Sequence, residues 1–157
     1  MEFAVLKKML TFNKIQQFSS EAVINFTLNL CAEERTRSRH RFATEEGEIV
    51  CLRLPRGTVL QDSDILVDDT KKYLAKIIAK PEEVLTVYAE QNIDLIRAAY
   101  HLGNRHVPLE ITTNYLRLSP DPVLRKMLET LNLKIKKETV PFQPQKGAYE
   151  HQLRHAH

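Results

Sequence analysis

A chain of 157 residues, 43% apolar and 27% charged, can bury one medium core or two small ones. Its formal net charge of +3 is too small to argue for a nucleic-acid partner by itself. No apolar run approaches the roughly 18 to 20 residues that span a bilayer. The start Met1-Glu2-Phe3-Ala4-Val5-Leu6-Lys7-Lys8 also lacks a secretory pattern, so a cytoplasmic protein with no membrane partner is expected.

The first half reads as β structure. Ile24, Phe26, Leu28 and Leu30 alternate with Asn25, Thr27 and Asn29, the period of two of a half-buried strand. A polar hairpin signal follows at Thr44-Glu45-Glu46-Gly47, and Ile49 to Leu54 then runs apolar up to the turn Pro55-Arg56-Gly57. Short apolar pieces at Thr58-Val59-Leu60 and Ile65-Leu66-Val67 and a strand over 73–80 complete a small all-β domain, residues 1–80. Cys31 and Cys51 form no C-x-x-C pair and no histidine adjoins either one, which fits reduced thiols used for packing.

Lys80-Pro81-Glu82-Glu83 reads as a linker, because the pattern changes after it. Val84 to Tyr88 is a strand. Asn92 to Leu102 carries Leu95, Ala98, Ala99 and Leu102 as well as Ile93, Ile96 and Tyr100 at helical spacing, and Gly103 is placed to end that helix as a left-handed C′ residue. Val107 to Thr113 and Tyr115 to Leu118 read as two short strands. Asp121-Pro122 supplies a cap and a first-turn proline for a helix bearing Val123, Leu124, Met127, Leu128 and Leu131. Leu133 to Val140 is the last strand. The order β-α-β-β-α-β predicts a ferredoxin-like domain over residues 81–142, making the whole chain α+β. From residue 143 to 157 the Pro, Gly and Gln content without periodicity predicts a flexible tail.

Five of the six histidines lie in this second half: His101, His106, His151, His155 and His157. Neutral imidazole suits nickel, copper and zinc. His106 sits at a helix-to-strand corner. It is either a metal ligand or a surface histidine that bonds the last carbonyls of its helix. His101 is a weaker candidate, because a spacing of five does not repeat the i, i+4 face geometry of a helical metal pair. His151, His155 and His157 form a metal-binding type of tract or a solvated polar tail. One chain offers few fixed ligands, so two copies of His106 meeting across a two-fold axis, completed by tail imidazoles, would predict a homodimer.

Arg35, Arg37, Arg39 and Arg41 recur at a spacing of two and would line one face of a strand. That face is a basic surface for a protein partner or for phosphates, or simply a solvated face balanced by Glu33, Glu34, Glu45 and Glu46. The competing function, a nucleic-acid-binding module, would use this strand, but 7% aromatic residues and no tryptophan argue against it. No G-x-S-x-G, P-loop or H-E-x-x-H occurs, and neither His101 nor His106 has a serine or cysteine neighbour, so no enzyme is expected.

The segment Tyr100-His101-Leu102-Gly103-Asn104-Arg105-His106-Val107-Pro108 resembles the hallmark of the urease accessory protein UreE family. The stretches 32–42 and Leu52-Arg53-Leu54-Pro55-Arg56-Gly57-Thr58 are similar to the family's amino-terminal domain, and Asp121-Pro122-Val123-Leu124 and 141–149 to its later part. The resemblance implies a homodimeric nickel metallochaperone that delivers Ni(II) to apo-urease, with the accessory GTPase as direct partner. It implies that His106 binds nickel at the dimer interface and that carboxyl-terminal histidines add ligands. Zn(II) and Cu(II) compete for the same ligands. Some members carry a long polyhistidine tail; this chain has three tail histidines, so bulk storage of metal is not expected.

Overall fold

The computed structural model describes residues 9–17, 19–44 and 46–147. The chain divides into two compact units, residues 1–79 and 80–157. Among the described residues no helix is long and apolar enough to cross a membrane.

Unit 1 is a six-stranded mixed sheet built from β1 (Leu10–Gln16), β2 (Phe26–Leu30), β3 (Arg39–Ala43), β4 (Ile49–Arg53), β5 (Ile65–Asp68) and β6 (Leu74–Ala79), in the order β2-β6-β5-β1-β4-β3. Leu28 and Leu30 are buried while Thr27 and Asn29 face water, as their alternation predicts. β1 escapes the sequence pattern for a physical reason. Leu10 and Phe12 alternate inward, but an irregularity between Phe12 and Lys14 slips the pairing to β5, so the period of two breaks mid-strand. Thr58-Val59-Leu60 forms no strand; Leu60 nonetheless packs fully buried in the core with Phe12, Leu28, Leu52, Leu66 and Ile77.

The expected arginine strand is also corrected. Residues Ala32–Arg35 form a short helix, α1, with Glu33 and Glu34 in its first turn and the Glu34 carboxylate accepting the Cys31 N–H at 3.0 Å. A helix advances about 100° per residue instead of 180°, so Arg35 turns inward and is only 3% exposed. The unit is therefore a β domain with one helical turn, and only Arg39 and Arg41 of the four lie on a strand.

Asp68 shows how the β5–β6 turn is fixed. It is 1% exposed, and its carboxylate accepts the amides of Thr70, Lys72 and Tyr73 and the Thr70 hydroxyl. Burial alone pushes its pKa up, but these hydrogen bonds outweigh burial and hold it below the ordinary 3.8. A carboxyl depressed in the folded state stabilises the fold above its unfolded pKa, and that contribution disappears as pH falls through the folded value. Asp68→Ala is expected to lower stability by about 2 kcal/mol at neutral pH, leaving three amides without their acceptor. The wild-type advantage over this variant should shrink below about pH 4, which denaturant melts at pH 7 and pH 3 would reveal.

Unit 2 runs β7 (Glu82–Tyr88), α2 (Asn92–Asn104), β8 (Glu110–Ile111), β9 (Leu116–Leu118), α3 (Pro122–Thr130) and β10 (Lys134–Val140). Its four strands pair antiparallel throughout in the order β10-β7-β9-β8. The start of α3 is as Asp121-Pro122 predicts: the Asp121 carboxylate accepts the amides of Val123 at 2.9 Å and Leu124 at 3.0 Å. Leu85 and Val87 of β7 and Leu116 and Leu118 of β9 meet Leu95, Ala98 and Leu102 of α2 and Leu128 of α3 in one core.

Gln143 to Gly147, expected within the flexible tail, form an ordered strap. Phe142 is 1% exposed, the Gln143 N–H donates to Glu110 Oε2 at 2.9 Å, and the Gln145 N–H donates to the Leu109 carbonyl at 2.7 Å. Residues 148–157, and with them His151, His155 and His157, lie outside the described residues.

Candidate metal centre at the end of helix α2

Helix α2 buries Leu95, Ala98 and Leu102 and sends Ile93, Ile96 and Tyr100 outward, 45%, 63% and 66% exposed. The two apolar stripes read from the sequence thus have different fates, and the second faces open solvent. The end of the helix also departs from expectation. Gly103 is helical and holds no left-handed backbone, and a Cβ added there would meet nothing within 4 Å. The helix runs one residue past Gly103 to Asn104, and the left-handed residue is His106 itself, with φ of 55°.

The hydrogen bonds define the motif. The His106 N–H donates to the Gly103 carbonyl at 3.0 Å and the Val107 N–H to the Leu102 carbonyl at 3.2 Å. With Arg105 as C-cap, these are the 5→2 and 6→1 bonds of a Schellman ending, in which His106 occupies the C′ position that glycine usually fills. Val107 packs against the core that includes Leu102, and an apolar contact of this kind often accompanies such an ending. A side chain in this conformation costs roughly 1 to 2 kcal/mol relative to glycine. The His106 imidazole is thereby set at an exposed corner. Ser63, Lys71 and Asn132 are the other described non-glycine residues with positive φ.

His101 lies one turn earlier, half-buried, its ring edge-on to Tyr100 at 5.6 Å between centroids. Its carbonyl accepts from Arg105 Nη1 at 3.3 Å. Among the described residues no three of His, Cys, Asp and Glu come together as a metal-holding group. His40, the sixth histidine, stacks on Phe42 in β3 at 5.3 Å.

The segment after His106 is anchored by a network that sequence reasoning did not find. Arg117 Nε donates to Thr86 Oγ1 at 3.1 Å, its guanidinium lies 4.2 Å over the Tyr115 ring, and it approaches Glu110 at 3.5 Å and Glu138 at 3.7 Å. Glu110 in turn holds the strap through Gln143. The register Glu110↔Arg117 across β8 and β9, which creates the pair, emerges only when the strands align. Arg117→Ala removes a cation shared by two carboxylates that are only 14% and 18% exposed. We expect a loss of about 2 kcal/mol, read as a lower denaturation midpoint, with the strap amides of Gln143 and Gln145 exchanging faster.

Of the arginines singled out in the sequence, Arg35 is buried, Arg37 pairs with Glu33 at 2.9 Å, and Arg39 and Arg41 are exposed on β3. No four-arginine strand exists.

Residues 82–157 match the profile of the UreE urease accessory protein, C-terminal domain, and residues 13–79 that of its N-terminal domain. The chain belongs to the UreE family. It is 60% identical over 149 residues to the urease accessory protein UreE of Nostoc punctiforme, covering 95% of this chain and all of the relative. The corresponding protein of Microcystis aeruginosa is 56% identical over 80% of this chain and 79% of its own length. That of Thermosynechococcus vestitus is 46% identical over 95% of this chain and its own full length. Like these UreE proteins, the chain is an accessory chaperone in urease maturation and not an enzyme.

Proposed function

We propose that this UreE chain binds Ni(II) and delivers it to apo-urease in the cytoplasm, as a homodimer in which the two His106 imidazoles share the ion. The accessory GTPase is the receiving partner. The observation that carries this reading is the exposed imidazole of His106, set at the left-handed end of helix α2 on the same helix as an uncovered apolar stripe. The helix dipole adds negative potential there, which favours a cation. The order of elements and the strand order β10-β7-β9-β8 support a ferredoxin-like reading of unit 2.

Three further features support a shared site. Ile93, Ile96 and Tyr100 form an uncovered apolar stripe that leads along α2 toward His106, a surface that a second copy would bury. Gly103 leaves the helix bare beside it. The strap returns the chain to Leu109, three residues past His106. From Gln145 to His151 is six residues, at most about 20 Å of chain, so His151, His155 and His157 can add ligands and later release the ion. His101 is the weaker ligand of the set. Zn(II) and Cu(II) bind the same imidazoles, copper at least as tightly; nickel is the choice that family membership supports.

The test is calorimetric titration of wild type and His106→Ala with nickel. The expected result is one tight ion per dimer in wild type and its loss in the variant. Unchanged affinity and stoichiometry would sink the assignment. Because imidazole binds metal only when neutral, wild-type affinity is expected to fall on acidification.

A further inference from the structure

Among the described residues, strand β3 lies at the edge of the six-stranded sheet with only β4 beside it. The ladder pairs Arg39↔Arg53, His40↔Leu52 and Arg41↔Cys51, and it is bounded by Leu54 N–H donating to the Ser38 carbonyl and Thr44 N–H donating to the Glu48 carbonyl, both at 2.8 Å. Directly opposed residues of an antiparallel pair alternate between bonded and unbonded. Ser38 and Thr44 bond toward β4, so His40 and Phe42 do too, and the backbone N–H and C=O of Arg39 and Arg41 point to the open side. The residues that offer free backbone groups are therefore the ones whose guanidiniums stand in solvent.

Arg39 and Arg53 face each other across the ladder, a like-charge pairing that destabilises a sheet. Among the described residues no carboxylate oxygen lies within ion-pair distance of Arg39, Arg41, Arg53 or Arg56. At the start of β3, a concavity of about 530 Å³ is lined by Thr36, Arg37, Ser38, Arg39 and Arg56. Arg56 is presented there by the turn that Gly57 closes at φ of 85°. A second copy of β3 added edge to edge would set arginine against arginine, so the complement of this edge is acidic.

We infer that the β3 edge is a docking strip for an extended acidic segment of a partner protein. The segment adds as a strand beside β3, its backbone bonding to Arg39 and Arg41 and its carboxylates, at every second position, meeting their guanidiniums. Its end enters the basin of Arg37 and Arg56. Nucleic acid is the poorer fit, because the arginines follow a strand's spacing and present matching free amides, while no exposed aromatic ring lines the basin for base stacking. This inference is independent of the nickel site, and either can fail alone.

The experiment uses the full chain and a fluorescein-labelled ten-residue peptide of alternating Glu and Thr, followed by anisotropy at low and moderate salt. The expected result is binding that weakens with salt. It should weaken at least tenfold when Arg39→Glu and Arg41→Glu are combined, and less than twofold for the charge-matched control Lys134→Glu with Lys136→Glu. A peptide N-methylated at the pairing amides should also lose at least tenfold against unaltered protein, which needs no variant to fold. The inference is overturned if the alternating peptide does not bind, or if the N-methylated form or one with its glutamates in a single block binds equally well. Tighter binding of a single-stranded DNA dodecamer than of the peptide overturns it in favour of nucleic acid.

Discussion

His106→Gly is expected to remove tight nickel binding while making unit 2 more stable. The backbone at residue 106 is left-handed, with φ of 55°, and glycine adopts it without the roughly 1 to 2 kcal/mol that a side chain incurs. Glycine's greater freedom in the unfolded chain returns up to about 1 kcal/mol of that. With that full penalty a net gain of about 0 to 1 kcal/mol remains, at most a few degrees in Tm for a unit of this size. Both Schellman hydrogen bonds are made by main-chain groups and survive the change. His106→Ala keeps the strain and loses the imidazole, so its stability should stay near that of wild type. Loss of two ligands from a shared ion should weaken nickel affinity by roughly a hundredfold or more, since even removing groups that only orient a ligand weakens affinity 10- to 100-fold. Paired thermal melts and nickel titrations of the two variants separate strain from ligation. A destabilised His106→Gly protein would show that the imidazole serves the helix end itself.

Combining Ile96→Glu with Tyr100→Glu is expected to abolish the dimer we propose. Both side chains are about two-thirds exposed, 63% and 66%, on the uncovered stripe of α2. Burying each against a partner is worth about 2 kcal/mol, and a two-fold axis counts every substitution twice. The glutamates also set like charges against each other. The dimer dissociation constant should rise by at least a hundredfold, which sedimentation equilibrium measures directly. The unit itself should melt unchanged, because Leu95, Ala98 and Leu102 carry the packing of α2. Nickel stoichiometry should then fall together with dimerisation. A variant that stays dimeric would place the interface elsewhere.

The parts of the fold legible in the sequence are those whose signal is local. Asp121 and Pro122 announce α3 because capping involves residues two and three apart. The alternation through Leu28 and Leu30 announces β2 because its register is unbroken. β1 was hidden because the irregularity between Phe12 and Lys14 destroys the period on which recognition depends. The four arginines mislead for the opposite reason: a real spacing of two crosses the boundary between a helical turn and a strand, and only Arg39 and Arg41 fall on the strand side.

At the candidate site the residue type was legible and its conformation was not. Histidine at 106, apolar residues at helical spacing, and the absence of any catalytic set follow from composition and order alone, and so does the family resemblance. Which stripe of α2 is buried was decided by the sheet beneath it, since Ile96 and Leu95 are equally apolar in the chain. That glycine stays helical while histidine turns left-handed depends on where the helix stops. That point is marked by the main-chain bonds of His106 to Gly103 and of Val107 to Leu102, with Val107 packed against the core that holds Leu102. The pairing of Arg117 with Glu110 and Glu138, and of the strap with Leu109, joins residues distant in sequence. The sequence by itself determined which side chains are available and where helices can begin. The tertiary structure decided which of them are exposed, strained or paired, because those properties depend on neighbours that only folding brings together.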